Sequence, residues 1–207
     1  MLFIYTNKKC YNKIMKKINE RSTEYPINDL FLKRYSPRAM SGEIITKEEL
    51  MTLFEAARWA PSSMNAQPWR FIYVLKDTPV FDKFLSFLTE HNRDWCKRAS
   101  VLVVVISKNN FDNGGPSITH SLDAGSAWEN LALQATDMNF VSHGMGGFDY
   151  NLAKKELSIP DDYTVEMMIA IGKPGKIEDL PEPLREREKP SQRKNLEEIV
   201  FEGNFKN

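Results

Sequence analysis

The run Ala60-Pro61-Ser62-Ser63-Met64-Asn65-Ala66-Gln67-Pro68-Trp69 puts hydroxyl and amide groups where two prolines restrict the chain to a turn. Groups of this kind bond a heterocycle or a phosphate. The run Gly144-Met145-Gly146-Gly147-Phe148 is also unusual and has two readings. As a tight turn it needs positive φ. As a ligand site, its missing side chains let backbone N–H groups approach a flat ring. Lys33, Arg34 and Arg38 form a basic cluster with Ser36 among them, and Arg193 with Lys194 forms another. Taken alone these are solvated charge runs. Together with a hydroxyl they are what the phosphate of a mononucleotide requires.

Other chemistries find less support. His91, His120 and His143 stand too far from one another and from cysteine for a metal motif. No Gly-x-Ser-x-Gly elbow marks a hydrolase, and no Gly-x-Gly-x-x-Gly follows a strand.

The elements that position these residues mix helices and strands, which predicts an α/β or α+β architecture. Asn28-Asp29 caps a short helix over Leu30 to Arg34. Thr46 and Glu49 make a capping box for a helix with Leu50, Leu53, Phe54 and Ala57 on one face. Strands are predicted over Arg70 to Leu75, Val101 to Ile106 and Glu166 to Ile171. The second has no polar alternation and reads as buried on both faces. Thr78-Pro79 opens a helix carrying Phe81, Phe84, Leu85 and Leu88. A long helix runs from Leu122 to Met138, with Asn139 as a left-handed cap, and a short one from Asn151 to Leu157. Residues 9–21 are basic and helix-permissive, and residues 1–9 are expected to be a frayed or swapped arm. From Gly175 onward the chain is charged and proline-rich, an extended arm rather than a core element.

At 207 residues, the chain suits one domain with appended arms. Twenty-eight basic and 28 acidic residues cancel, so a broad nucleic-acid surface is not indicated. Cys10 and Cys96 are its only cysteines, which points to free thiols in a reducing, cytoplasmic compartment. No segment reaches the roughly 18 apolar residues of a membrane span.

Four blocks, in order, give the chain from about Leu30 to Val200 a resemblance to the FMN-dependent nitroreductases. They are Lys33-Arg34-Tyr35-Ser36-Pro37-Arg38, the Pro61 to Trp69 run, Asn130-Leu131-Ala132-Leu133-Gln134-Ala135 leading to Gly144-Met145-Gly146-Gly147-Phe148-Asp149, and Arg193-Lys194-Asn195-Leu196-Glu197-Glu198-Ile199-Val200. The resemblance implies an α+β fold: a central, mostly antiparallel sheet flanked by helices. It implies an intertwined homodimer with FMN at the subunit interface and the C-terminal arm exchanged. Residues 1–26 are then an N-terminal extension, 27–174 the core and 175–207 the arm.

The same resemblance implies residue roles. Arg34, Ser36 and Arg38 contact phosphate and ribityl, and the two arginines also reach the polar edge of the ring. Ser62, Ser63 and Asn65 are lent by the second subunit, and Gln67 holds that loop in shape. Gly146 and Gly147 supply backbone donors near flavin N5. Asn92, ahead of Trp95, reaches the pyrimidine edge, and Arg193 with Lys194 closes the phosphate site. The chain departs from many family members by carrying Gly146 where they have an acidic residue, and Tyr35 narrows the cavity.

The implied activity is a ping-pong cycle. NADH or NADPH reduces the flavin, which passes the hydride to an electron-poor acceptor such as a nitroaromatic or quinone. No side chain is assigned a catalytic role, because the chemistry belongs to the flavin. The alternatives are a reductive dehalogenase or flavin-breakdown enzyme of the same superfamily, and a non-enzymatic flavin-binding module.

Overall fold

The computed structural model describes residues 17–18 and 20–205. The expected N-terminal arm, and the region before residue 17 expected to be helix-permissive, lie outside them. The chain divides into two compact units, one drawn from Met1–Tyr35 and Pro190–Asn207, the other Ser36–Lys189.

The larger unit is built on a four-stranded antiparallel sheet, with strands β3 (Trp69–Leu75), β4 (Val101–Lys108), β5 (Val141–Met145) and β6 (Tyr163–Gly172) in the order β3-β4-β6-β5. Strand β4 is central and buried, as its unbroken β-branched run requires. Its side chains divide by the period of two. Leu102, Val104 and Ile106 enter one core; Val101, Val103 and Val105 enter the other.

Helices α2 (Lys47–Arg58) and α5 (His120–Asp137) cover the second core through Leu50, Leu53, Ala57, Ala127 and Leu131. The capping box of α2 is formed: Glu49 N donates to Thr46 Oγ1, and Thr46 N donates to the Glu49 carboxylate. The opposite core is filled from α3 (Phe81–Phe87), α4 (Glu90–Cys96) and α6 (Tyr150–Glu156). Asn139 takes φ 58°, the left-handed cap its position called for.

Three expectations about the larger unit are corrected. Gly144, Gly146 and Gly147 are not at positive φ; Gly144 lies within β5. There a Cβ would stand 2.3 Å from the Met167 methyl and 3.2 Å from the Trp128 ring. The glycine answers to sheet-face packing, not to a turn. The chain beyond Gly175 is not wholly an extended arm. It contains α7 (Glu182–Arg185), and Leu180 and Leu184 are buried in the α3 core. The helix expected from Thr78-Pro79 begins two residues past Pro79, at Phe81, with Thr78 O accepting from Phe81 N.

The smaller unit contains α1 (Asp29–Lys33), capped by Asn28, and an antiparallel pair, β1 (Lys17–Ile18) with β2 (Arg21–Ser22). The tip residue of that pair, Glu20, has φ 64°. A C-terminal segment joins them: Gln192 Nε2 donates to Glu20 O at 2.6 Å, and Leu196 N donates to Glu24 Oε1 at 3.3 Å. Residues 17–18 and 21–22 are therefore strand rather than helix.

Candidate functional site

The loop between α2 and β3 is shaped by its own polar groups. Ser62 Oγ accepts from Gln67 N at 3.0 Å, and Gln67 Nε2 donates to Asn65 O at 3.1 Å. Met64, Asn65 and Gln67 all take positive φ, at 51°, 54° and 47°. Three non-glycine residues in that region are a store of strain held by the surroundings. Asp123, buried in the first turn of α5, is the outside anchor: its Oδ2 accepts from Ser63 N at 3.2 Å and from Thr119 Oγ1 at 3.3 Å. The loop is exposed from Met64 through Gln67, so it presents backbone and amide groups outward.

The glycine pair after β5 is fixed from α4. Gly147 O accepts from Thr89 N at 3.1 Å, from Thr89 Oγ1 at 3.1 Å and from Asn92 Nδ2 at 3.0 Å. A Cβ on Gly147 would stand 2.6 Å from Asn92 Nδ2. The carbonyl acceptor fixes which way the Asn92 amide points, leaving Oδ1 as its acceptor end. Gly146 is exposed, and a Cβ there would meet the Tyr150 hydroxyl at 3.4 Å.

Ser36 and Arg38 sit on the half-buried segment that leads into the core. Glu188 fixes it: its Oε1 accepts from Arg38 N and Ala39 N. The Arg38 guanidinium also faces Glu188, with Nη1 3.8 Å from Oε2. Burial is the main cause holding the Arg38 pKa below its ordinary value, opposed by Glu188. The Arg38 Nε is buried with no hydrogen-bond partner among the described residues. Beneath this segment, His143 Nδ1 donates to Pro37 O at 3.1 Å, and its ring lies 4.9 Å from that of Trp95. Burial first, then the Arg38 charge, lower the His143 pKa to about 4.

In the smaller unit, Arg34 ends α1 and is half-buried, while Arg193 and Lys194 are exposed. Arg193 Nη1 donates to Ser191 O and Ser191 Oγ. Buried Arg21 bonds the backbone on both sides of this group, at Arg34 O and Ser191 O. Arg21, Asp123 and Glu188 were not singled out by the sequence. Each acts on backbone groups far along the chain, which leaves no local pattern.

The predicted residues thus fall in both units: Arg34, Arg193 and Lys194 in one, the remainder in the other. Within the larger unit they form a strained loop, a clamped glycine pair and a tethered arginine. A buried donor without a partner and a glycine whose Cβ would displace the Asn92 amide suit a flat ring with polar edges. In the smaller unit, exposed arginine and lysine suit a phosphate.

Fold and site define an α+β protein that offers backbone amides and cations, rather than an acid–base pair, to a ligand. The chain belongs to the nitroreductase family, whose model matches residues 32–94 and 80–173. Protein DrgA of Synechocystis sp. is 30% identical over 167 residues, which are 66% of this chain and 77% of that one. A solved oxidoreductase containing FMN is 46% identical and superposes with a TM-score of 0.89 over 93% of this chain and 99% of its own. A protein from Desulfovibrio desulfuricans solved in complex with FMN is 25% identical, with a TM-score of 0.69 over 89% of this chain and all 100% of its own. Among the described residues, no helix is long and apolar enough to cross a membrane.

Proposed function

We propose that this protein is an FMN-dependent NAD(P)H oxidoreductase that reduces electron-poor acceptors such as nitroaromatics or quinones. The observation that carries this reading is the 46% identity to an oxidoreductase containing FMN, extending over 93% of the chain. When bound, FMN supplies hydride acceptance from NADH or NADPH at N5 and hydride donation to the acceptor in a second half-reaction.

The protein's own groups bind and orient. Arg34 and Arg193, with Lys194, hold the phosphate. Ser36 bonds the ribityl chain and Arg38 Nε donates to the ring's polar edge. Asn92, held by Gly147 O, offers Oδ1 as an acceptor to a ring N–H. The backbone N–H groups of Gly146 and Gly147 face the reacting edge, and donors aimed where charge develops lower the barrier. Ser62, Ser63 and Asn65 reach the cofactor of a second subunit, and Gln67 keeps their loop in shape.

A homodimer with exchanged C-terminal arms belongs to the same reading. Its support is apolar exposure: Met64, Ile118 and Leu122 are 81%, 91% and 71% exposed, and the Ser63–Asp123 bond brings their segments together. The Ile199, Val200 and Phe205 side chains are also exposed. The setting is a reducing cytoplasm, where the buried Cys96 stays a thiol.

Replacing Arg34 by Ala tests the binding assignment. FMN affinity falls at least tenfold while the melting temperature changes little; unchanged FMN affinity would overturn the phosphate assignment.

A further inference from the structure

Arg21 is only 6% exposed, yet it lies ahead of residue 32, where the family match begins. Its guanidinium is spent on main-chain carbonyls. The Nε donates to Ser191 O at 3.0 Å, and Nη1 donates to Leu32 O at 3.1 Å and Arg34 O at 2.5 Å. Arg193 Nη1 donates to the same Ser191 carbonyl at 3.3 Å and to Ser191 Oγ at 3.1 Å. Two guanidinium groups therefore share one acceptor, and the first also holds the main chain of a third arginine.

This grouping works against itself electrostatically. Burial, followed by the like charges of Arg193 and then Arg34, holds the Arg21 pKa below its ordinary value. Like charges kept together at a partly desolvated place raise the energy of the unliganded protein, and a multiply charged anion relieves it. The carbonyls offset part of the Arg21 charge and use its planar fork in a way that the compact ammonium of lysine does not match.

We propose that Arg21 is a positioning residue for a phosphate monoester: by tying the Leu32, Arg34 and Ser191 carbonyls together, it presents Arg34 and Arg193 to one dianion. The inference rests on the FMN reading and deepens it. It gives the segment ahead of the family match a supporting part in discriminating FMN from riboflavin, which has the same ring and no phosphate. Ordering the main chain that carries these two long cationic side chains before the ligand arrives reduces the entropy lost on binding.

The test is flavin-fluorescence titration of the full-length apoprotein, as wild type, Arg21→Met and Arg21→Lys, with FMN and with riboflavin. Arg21→Met weakens FMN at least tenfold, leaves riboflavin within twofold and flattens the salt dependence of FMN binding. Arg21→Lys recovers part of the FMN preference. Equal weakening of both flavins makes Arg21 a general strut and overturns the proposal, as does unchanged FMN binding. Should Arg21→Met fail to fold, Arg21→Lys decides. An FMN-selective loss of about threefold or more supports the proposal, and no selective loss overturns it. Wild type that binds riboflavin as tightly as FMN also overturns it. Wild type that binds neither flavin overturns the FMN reading itself, before any variant is compared.

Discussion

Glu188 holds Arg38 by its backbone as well as by its charge. Its Oε1 accepts from Arg38 N at 2.5 Å and Ala39 N at 2.7 Å, while its Oε2 stands 3.8 Å from Arg38 Nη1. A residue 150 positions away thus sets both the path of the segment and the direction of the guanidinium. Replacing Glu188 by Ala leaves two backbone donors and a half-buried cation without this partner. The expected cost is about 3–5 kcal/mol, read as a loss in urea midpoint, because breaking a buried pair strands the remaining charge. Glu188→Gln keeps an acceptor and loses less.

Gly147 and Asn92 are predicted to fail together. Gly147→Ala puts a Cβ 2.6 Å from Asn92 Nδ2 and forces the amide off the carbonyl. Asn92→Asp turns a carboxylate oxygen toward Gly147 O, where a donor is needed. Each change weakens FMN at least tenfold, and the double variant is little worse than either single one. Additive losses, measured by titration, would contradict a shared clamp.

Asp123 restrains the Ser62–Gln67 loop from outside it. In Asp123→Ala, Ser63 N and Thr119 Oγ1 lose their acceptor, and the left-handed Met64, Asn65 and Gln67 lose an anchor. Amide exchange over residues 62–67 accelerates at least tenfold, with the central sheet unchanged, whereas Asp123→Asn retains an acceptor and most of the protection. Equal exchange in all three proteins would contradict the anchoring role.

His143 gives stability a pH dependence of known sign. Its folded pKa, about 4, lies below the ordinary value of about 6.5. Above about pH 6.5 the ring is neutral in both states, and its contribution is flat. Between about 6.5 and about 4 the unfolded chain takes up a proton that the fold refuses. Stability therefore declines as the pH is lowered through this window, by up to about 1.4 kcal/mol per unit. Urea midpoints measured from pH 7 to pH 4.5 decline less steeply in His143→Gln than in wild type. Parallel slopes would contradict burial as the cause.

The parts of this molecule that were legible in the sequence are those decided locally. Thr46 and Glu49 stand three residues apart and cap α2 by themselves, and the β-branched run of β4 admits little but a buried strand. Strand β5 was not legible. Its residues Val-Ser-His-Gly-Met have no strand pattern, and pairing with β6, Val141 opposite Gly172 through Met145 opposite Met168, decides its conformation. Leu180 and Leu184 are isolated apolar residues among prolines and charges, so only the tertiary core reveals them. In the candidate site, the Ser62–Gln67 loop and the glycine pair stood out by composition. Their supports did not, because Glu188 looks like any member of the run Arg185-Glu186-Arg187-Glu188-Lys189.

The measurement that bears most directly on the proposed activity is an anaerobic visible-spectrum titration of the purified, FMN-reconstituted protein, first with NADPH and then with NADH. The expected result is a bound yellow flavin that bleaches stoichiometrically with at least one nicotinamide and regains its colour when a quinone or nitroaromatic is added. A protein that retains no flavin, or a bound flavin that neither nicotinamide reduces, would contradict it.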